Sequence, residues 1–132
     1  MKITRNASAP SMTGAVPDNF TGLVRVDNVA SPNPPGRASS ALVTFTPGAR
    51  TVWHTHPAGQ TIIVTAGKGW VQREGEPREE VGPGDTVFFD ADERHWHGAT
   101  ATTGMSHIAI SETVDGKNVD WFEPVTDEQY AN

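Results

Sequence analysis

A chain of 132 residues without cysteine is long enough for one hydrophobic core and leaves little room for a second; it excludes disulfides, thiolate zinc sites and cysteine nucleophiles. Sixteen acidic against ten scattered basic side chains give a net charge of −6, so a phosphate backbone is repelled and nucleic acid is not an expected partner. No apolar run nears the ~20 residues that a bilayer requires, and the opening Met1-Lys2-Ile3-Thr4-Arg5 lacks the apolar stretch of a signal peptide; a soluble, cytoplasmic protein with no membrane partner is expected.

Thirteen glycines and ten prolines fall at short intervals, which argues many turns and few long helices. Residues 1 to about 37 read as an N-terminal arm that includes the loop-like Ala30-Ser31-Pro32-Asn33-Pro34-Pro35-Gly36. Within and beyond it come short runs rich in Val, Ile, Thr, Phe and Trp: 23–26, 41–45, 61–65, 70–73, 86–89 and 107–110. Turn signals separate them at Pro47-Gly48, Ala66-Gly67-Lys68-Gly69 and Gly82-Pro83-Gly84-Asp85. Short strands at regular spacing predict an all-β sandwich or barrel. The charged stretch from Arg73 to Glu80 reads as a solvated hairpin tip. Thr126-Asp127-Glu128-Gln129 has the spacing of a capping box and predicts one short C-terminal helix. No repeat or domain boundary interrupts residues 1–132, so one domain is expected.

All five histidines lie between positions 54 and 107. Four of them form two pairs with one residue between, His54-Thr55-His56 and His95-Trp96-His97. Residues two apart on a strand share a face, so each pair can present two imidazoles, the commonest metal-ligand side chains, in one direction. Gln60 follows a Pro57-Ala58-Gly59 turn and can offer its amide oxygen to the same point. On the strand predicted around residue 107, Met105, His107, Ala109 and Ser111 share a face that suits a cavity better than a core.

With this spacing the chain resembles the cupin superfamily. The first cupin motif is Gly, five residues, His-x-His, three residues, an acid, six residues, Gly. Here Gly48, His54, His56, Gln60 and Gly67 keep every interval. The second motif places one more histidine after a Gly-Asp turn and a strand, positions filled by Gly84-Asp85 and His95. The motifs span about 48–67 and 82–99. The resemblance implies a double-stranded β-helix, or jelly-roll, barrel with one divalent metal ion held by His54, His56, Gln60 and His95. Two positions depart from the pattern. Asp90 and Asp92 stand where Pro and Gly are usual, and Asp tolerates the left-handed backbone well. Gln60 stands where many cupins have Glu, so four neutral ligands leave the cation its whole charge. Three nitrogens and one oxygen suit Mn, Fe, Co, Ni or Zn.

The likeness is closer over the run from Pro47 to Gly67, at Trp70 and Gln72 to Gly75, at His95 to Ala99, and in the tail with Asp120-Trp121 and Val125 to Tyr130. There the chain is similar to the bacterial manganese-dependent cupin hydroxynitrile lyases. That resemblance implies Mn²⁺ as cofactor and reversible cleavage of cyanohydrins such as (R)-mandelonitrile to aldehyde and cyanide. It implies His107 as the catalytic base. Ala41, Val43, His97 and Ser111 are the expected substrate-pocket residues. By analogy with small cupins, a homodimer or homotetramer is expected. The alternatives are another metal cupin enzyme of the dioxygenase kind, against which the missing Glu counts, and a non-enzymatic small-molecule-binding cupin.

Overall fold

The computed structural model describes residues 1–13 and 18–132. In chain order its strands are β1 (Met12–Thr13), β2 (Phe20–Thr21), β3 (Val24–Ala30), β4 (Ala38–Phe45), β5 (Arg50–Thr51), β6 (His54–Thr55) and β7 (Gln60–Gly67). They continue with β8 (Gly69–Arg73), β9 (Glu79–Val81), β10 (Thr86–Phe89), β11 (His95–Ala99), β12 (Met105–Glu112) and β13 (Asp120–Trp121), and α1 (Asp127–Ala131) closes the chain. Two curled antiparallel sheets result. One has the order β1-β3-β4-β12-β7-β10. The other runs β13-β6-β11-β5-β2, with β8 bridging β11 to β9.

Strand alternation builds the core between the sheets. Along β7, Gln60, Ile62 and Val64 are buried while Thr61, Ile63 and Thr65 are more open. Phe45, Met105, Val24, Val71, Val81 and Phe89 meet them from the other strands, a pleat-period pattern that lets one face of each strand exclude water. Among the strands longer than two residues β11 is the exception, being buried at every position. Its outward Trp96 packs with Trp53 and Val125, and with Trp70 and Tyr130, beneath the C-terminal segment. That segment is pinned by three hydrogen bonds. Arg50 donates to the Val125 carbonyl at 2.8 Å and to Asp127 at 2.9 Å, and the Tyr130 hydroxyl donates to the Ala99 carbonyl at 2.8 Å.

The capping box predicted at Thr126 forms in both directions: Gln129 N donates to Thr126 Oγ1 at 3.1 Å, and Thr126 N to Gln129 Oε1 at 2.9 Å. The charged stretch is the tip of the β8–β9 hairpin. Within the stretch expected as an arm to about residue 37, β3 lies in the six-stranded sheet alongside β4. Its polar Asp27-Asn28 interrupts the apolar run, and the register shifts between Asp27 and Ala30.

Candidate metal centre

β6 and β11 lie side by side with His54 opposite His95. The chain after His56 turns sharply, Gly59 N donating to the His56 carbonyl at 3.2 Å. Gly59 has φ +79°, and a Cβ there would lie 2.5 Å from the Phe89 carbonyl oxygen. Only glycine fits, and the turn sends Gln60 back toward the histidines at the head of β7. Asp92 adopts the left-handed backbone, φ 60°, that its place in the second motif before His95 suggested. Its N–H caps the His56 carbonyl at 2.9 Å, so the loops leading into both histidine pairs are fastened together.

The amide oxygen of Gln60 is the hub. It lies 3.0 Å from His95 Nε2, 3.1 Å from His97 Nε2 and 3.4 Å from His54 Nε2. The ligand atoms of His54, His95 and His97 are all within 4.8 Å of one another. The His56 ring stands 5.2 Å from that of His54 and 5.8 Å from that of His95, centre to centre. Phe89 stacks on His95 at 3.7 Å with the planes 8° apart, which fixes that imidazole from behind.

Proton bookkeeping tests whether a cation fits. His54 Nδ1–H donates to the Val52 carbonyl at 2.9 Å, His95 Nδ1–H to the Glu93 carbonyl at 2.8 Å, and His56 Nδ1–H to the Asn118 carbonyl at 2.8 Å. A neutral imidazole has one N–H, so each ring turns a bare Nε2 lone pair inward. The lone pair of His56 is buried with no partner. Those of His54 and His95 face the Gln60 oxygen, itself an acceptor. Lone pairs set against lone pairs repel unless a cation gathers them, and the main-chain carbonyls supply the outer hydrogen bonds that orient ligand histidines. The donor set fits a divalent ion of the borderline kind.

The rings are neutral at pH 7. Burial foremost pushes His54 down to about 4 and His95 to about 2, neighbouring imidazoles adding to the effect. Burial also lowers His56, and holds His97 well below the ordinary value.

His97 and His107 form a second layer. His97 Nε2–H donates to Gln60, and His107 Nε2–H donates to His97 Nδ1 at 3.1 Å. Nδ1 of His107 is left buried without a partner, and burial brings this residue to about 4. A register shift between Ser106 and His107 against β7 marks a bulge, a common device for aiming a side chain. His107 sits opposite Val43, Ala109 opposite Ala41, and Ser111 opposite Ser39. The structure brings Ala41, Val43, His107 and Ser111 together along β4 and β12, while His97 lies within the histidine cluster itself. Two contributors had no local signal in the sequence: the Asn118 carbonyl behind His56, and the ring of Phe89 behind His95.

A family model described as "Cupin domain" matches residues 41–111. The (R)-mandelonitrile lyase of Granulicella tundricola is 58% identical over 130 residues, 98% of this chain and 98% of that protein. A cupin-like protein from Thermotoga maritima superposes with TM-score 0.80 and 38% identity, covering 98% of this chain and 95% of that one. The polyketide cyclase RemF of Streptomyces resistomycificus, 17% identical with TM-score 0.72 over 98% of this chain and 90% of its own, shares the fold alone.

Proposed function

The chain belongs to the cupin family, and on that footing we propose that it is a metal-dependent hydroxynitrile lyase, splitting cyanohydrins such as (R)-mandelonitrile into aldehyde and cyanide and running the reverse addition. The observation that carries the proposal is the convergence of His54, His95, His97 and the Gln60 oxygen, with the partnerless His56 Nε2 beside them, in a chain 58% identical to a protein named for that activity. His54, His56, Gln60 and His95 would hold one divalent ion, Mn²⁺ by that likeness, with Fe²⁺, Co²⁺, Ni²⁺ or Zn²⁺ compatible with the same donors.

The bound ion would supply positive charge and Lewis acidity toward the substrate oxygen. The rest is the work of the chain. His107 takes the hydroxyl proton at Nδ1, the ring nitrogen that has no partner. As the carbonyl forms, the bond to the nitrile carbon breaks and its electron pair leaves with cyanide. His97, bonded to the far side of the His107 ring, fixes that ring's orientation. Val43 and Phe45 are buried beside His107, and with Ala41 they exclude water and accept the apolar body of the substrate. Ser111 lies farther along the same face. In this reading residues 1–132 act as one domain, in a cytoplasmic homodimer or homotetramer.

The test is elemental analysis of protein reconstituted with Mn²⁺, followed by cyanide release from (R)-mandelonitrile. About one ion per chain is expected, lost from His54→Ala and His56→Ala proteins. Metal-free wild type after reconstitution, or loaded protein that releases no cyanide, would sink the proposal.

A further inference from the structure

Asn118 follows a tight hairpin at Asp115-Gly116, closed by the bridge between Val114 and Lys117. It lies outside both histidine motifs, yet every polar group it offers beyond its N–H is engaged near the centre. Its carbonyl accepts His56 Nδ1–H at 2.8 Å. Its side-chain oxygen accepts from Ser111 Oγ at 2.9 Å, and its side-chain nitrogen donates to Ser39 Oγ at 3.3 Å. Ser39 Oγ in turn donates to the Ser111 carbonyl at 3.2 Å, which closes a ring of hydrogen bonds across β4 and β12. Ser111 is the register partner of Gln60 on β7. One half-buried asparagine thus spans from the turn that bears His56 to the strand pair that abuts Gln60.

We propose that Asn118 is a positioning residue for the metal centre: its side chain, clamped by Ser39 and Ser111, holds its own carbonyl where that carbonyl fixes the tautomer and direction of His56. This role presupposes that His56 is a metal ligand, as proposed above. An imidazole whose Nδ1–H is committed to a carbonyl can offer only Nε2 as a lone pair. Without that carbonyl the ring can carry its proton on either nitrogen and turn about its axis, so the metal must bind against a mixture of wrong states. Loss of such an outer hydrogen bond typically weakens metal binding about 10–100-fold. The side chain matters because residue 118 lies between the Val114–Lys117 bridge and the first β13 pairing at Asp120, and the clamp from Ser39 and Ser111 is what ties residue 118 itself. Asn118 follows an exposed hairpin tip and precedes the two-residue strand β13.

The experiment uses metal-free full-length protein in two measurements. Long-range nitrogen–proton NMR reads the His56 tautomer without any metal. Wild type is expected to carry the proton on Nδ1 alone, and Asn118→Ala to show both forms. Calorimetric titration with Mn²⁺ then gives affinity. Asn118→Ala should bind about 10–100-fold more weakly, while the His54 ring, whose Nδ1–H is held by the Val52 carbonyl, should keep its tautomer. The Ser39→Ala/Ser111→Ala pair, which leaves Asn118 in place and removes its clamp, should reproduce the loss and stands in if Asn118→Ala fails to fold. An unchanged tautomer and affinity in these variants overturns the inference while leaving the metal reading intact. Weakened affinity with the His56 proton still on Nδ1 alone overturns it too, since the effect would then run through another residue. Wild type that binds no Mn²⁺ removes the reading and the inference together.

Discussion

Gln60→Glu changes one atom's identity at the centre of the histidine cluster and adds a unit of negative charge there. The amide oxygen stands 3.0–3.4 Å from three imidazole nitrogens, so any cation those nitrogens share is close to it. Two unit charges ~4 Å apart attract by about 4 kcal/mol at an effective dielectric of ~20. A divalent ion gains up to twice that from a carboxylate. Against this stands the cost of burying the carboxylate at a residue only 6% exposed, several kcal/mol. In the metal-free form, protons drawn onto His54 and His95 would compete with the ion. The surplus should still tighten Mn²⁺ binding by at least about tenfold, ~1.4 kcal/mol. The loaded site would carry half its former charge, and an anion would feel that directly. Cyanide should bind roughly 10–100-fold more weakly, and the lyase rate should fall with it, because a developing alkoxide loses the same attraction. Titration of metal-free wild type and variant with Mn²⁺, then of the loaded forms with cyanide, reads both effects. Equal cyanide affinity in the two proteins would refute the reasoning, since site charge would not be what the neutral amide sets.

Three further outcomes follow from the geometry. His107→Ala should retain the metal and the fold but lose about 10²–10⁴ in lyase rate; unchanged turnover would move the base to His97, its bonded neighbour. Burial depresses His54 and His107 from 6.5 to about 4, so between those values the unfolded chain binds protons that the folded one excludes. Stability of the metal-free protein should be at its full value above pH ~6.5 and fall by roughly 1.4 kcal/mol per pH unit for each histidine as pH drops toward 4; equal denaturant midpoints at pH 7 and pH 5 would contradict this. Gly98→Ala would set a Cβ 2.5 Å from the Ala49 carbonyl oxygen and 2.6 Å from Arg50 Cα. It should destabilise by about 1–3 kcal/mol, read as a lowered denaturant midpoint, because β5 must back away from the strand that carries His95 and His97.

The sequence revealed those parts of the fold that depend on periodicity and turn chemistry. The run Thr86 to Phe89 is strand β10 to the residue, and the capping box at Thr126 marks the only helix among the described residues. The two-residue strands β5, β6 and β13 carried no such signal, since pairing rather than propensity makes them strands. Strand parity likewise placed His107 and Ser111 on one face. It did not reveal how deep His97 lies, because depth is set by the curl of β11 against its neighbours. Nor could Asn118 or Phe89 be found from spacing. Their contributions come from a main-chain carbonyl and a ring face brought close by tertiary packing, and those groups are chemically the same in every such residue.

His56 and the carbonyl that orients it are separated by 62 residues, and Trp121, packed on His54 at 4.9 Å between ring centres, is made later still. At ~5–20 residues per second of synthesis, His56 waits roughly 3–12 seconds before the carbonyl that orients it exists. A nascent chain in that interval offers a bare His-x-His, which follows the ordinary ranking of divalent ions and favours copper. If the proposed centre takes up its ion only once the chain is complete, expression in cells or media of different metal supply is expected to yield the same fold carrying different ions.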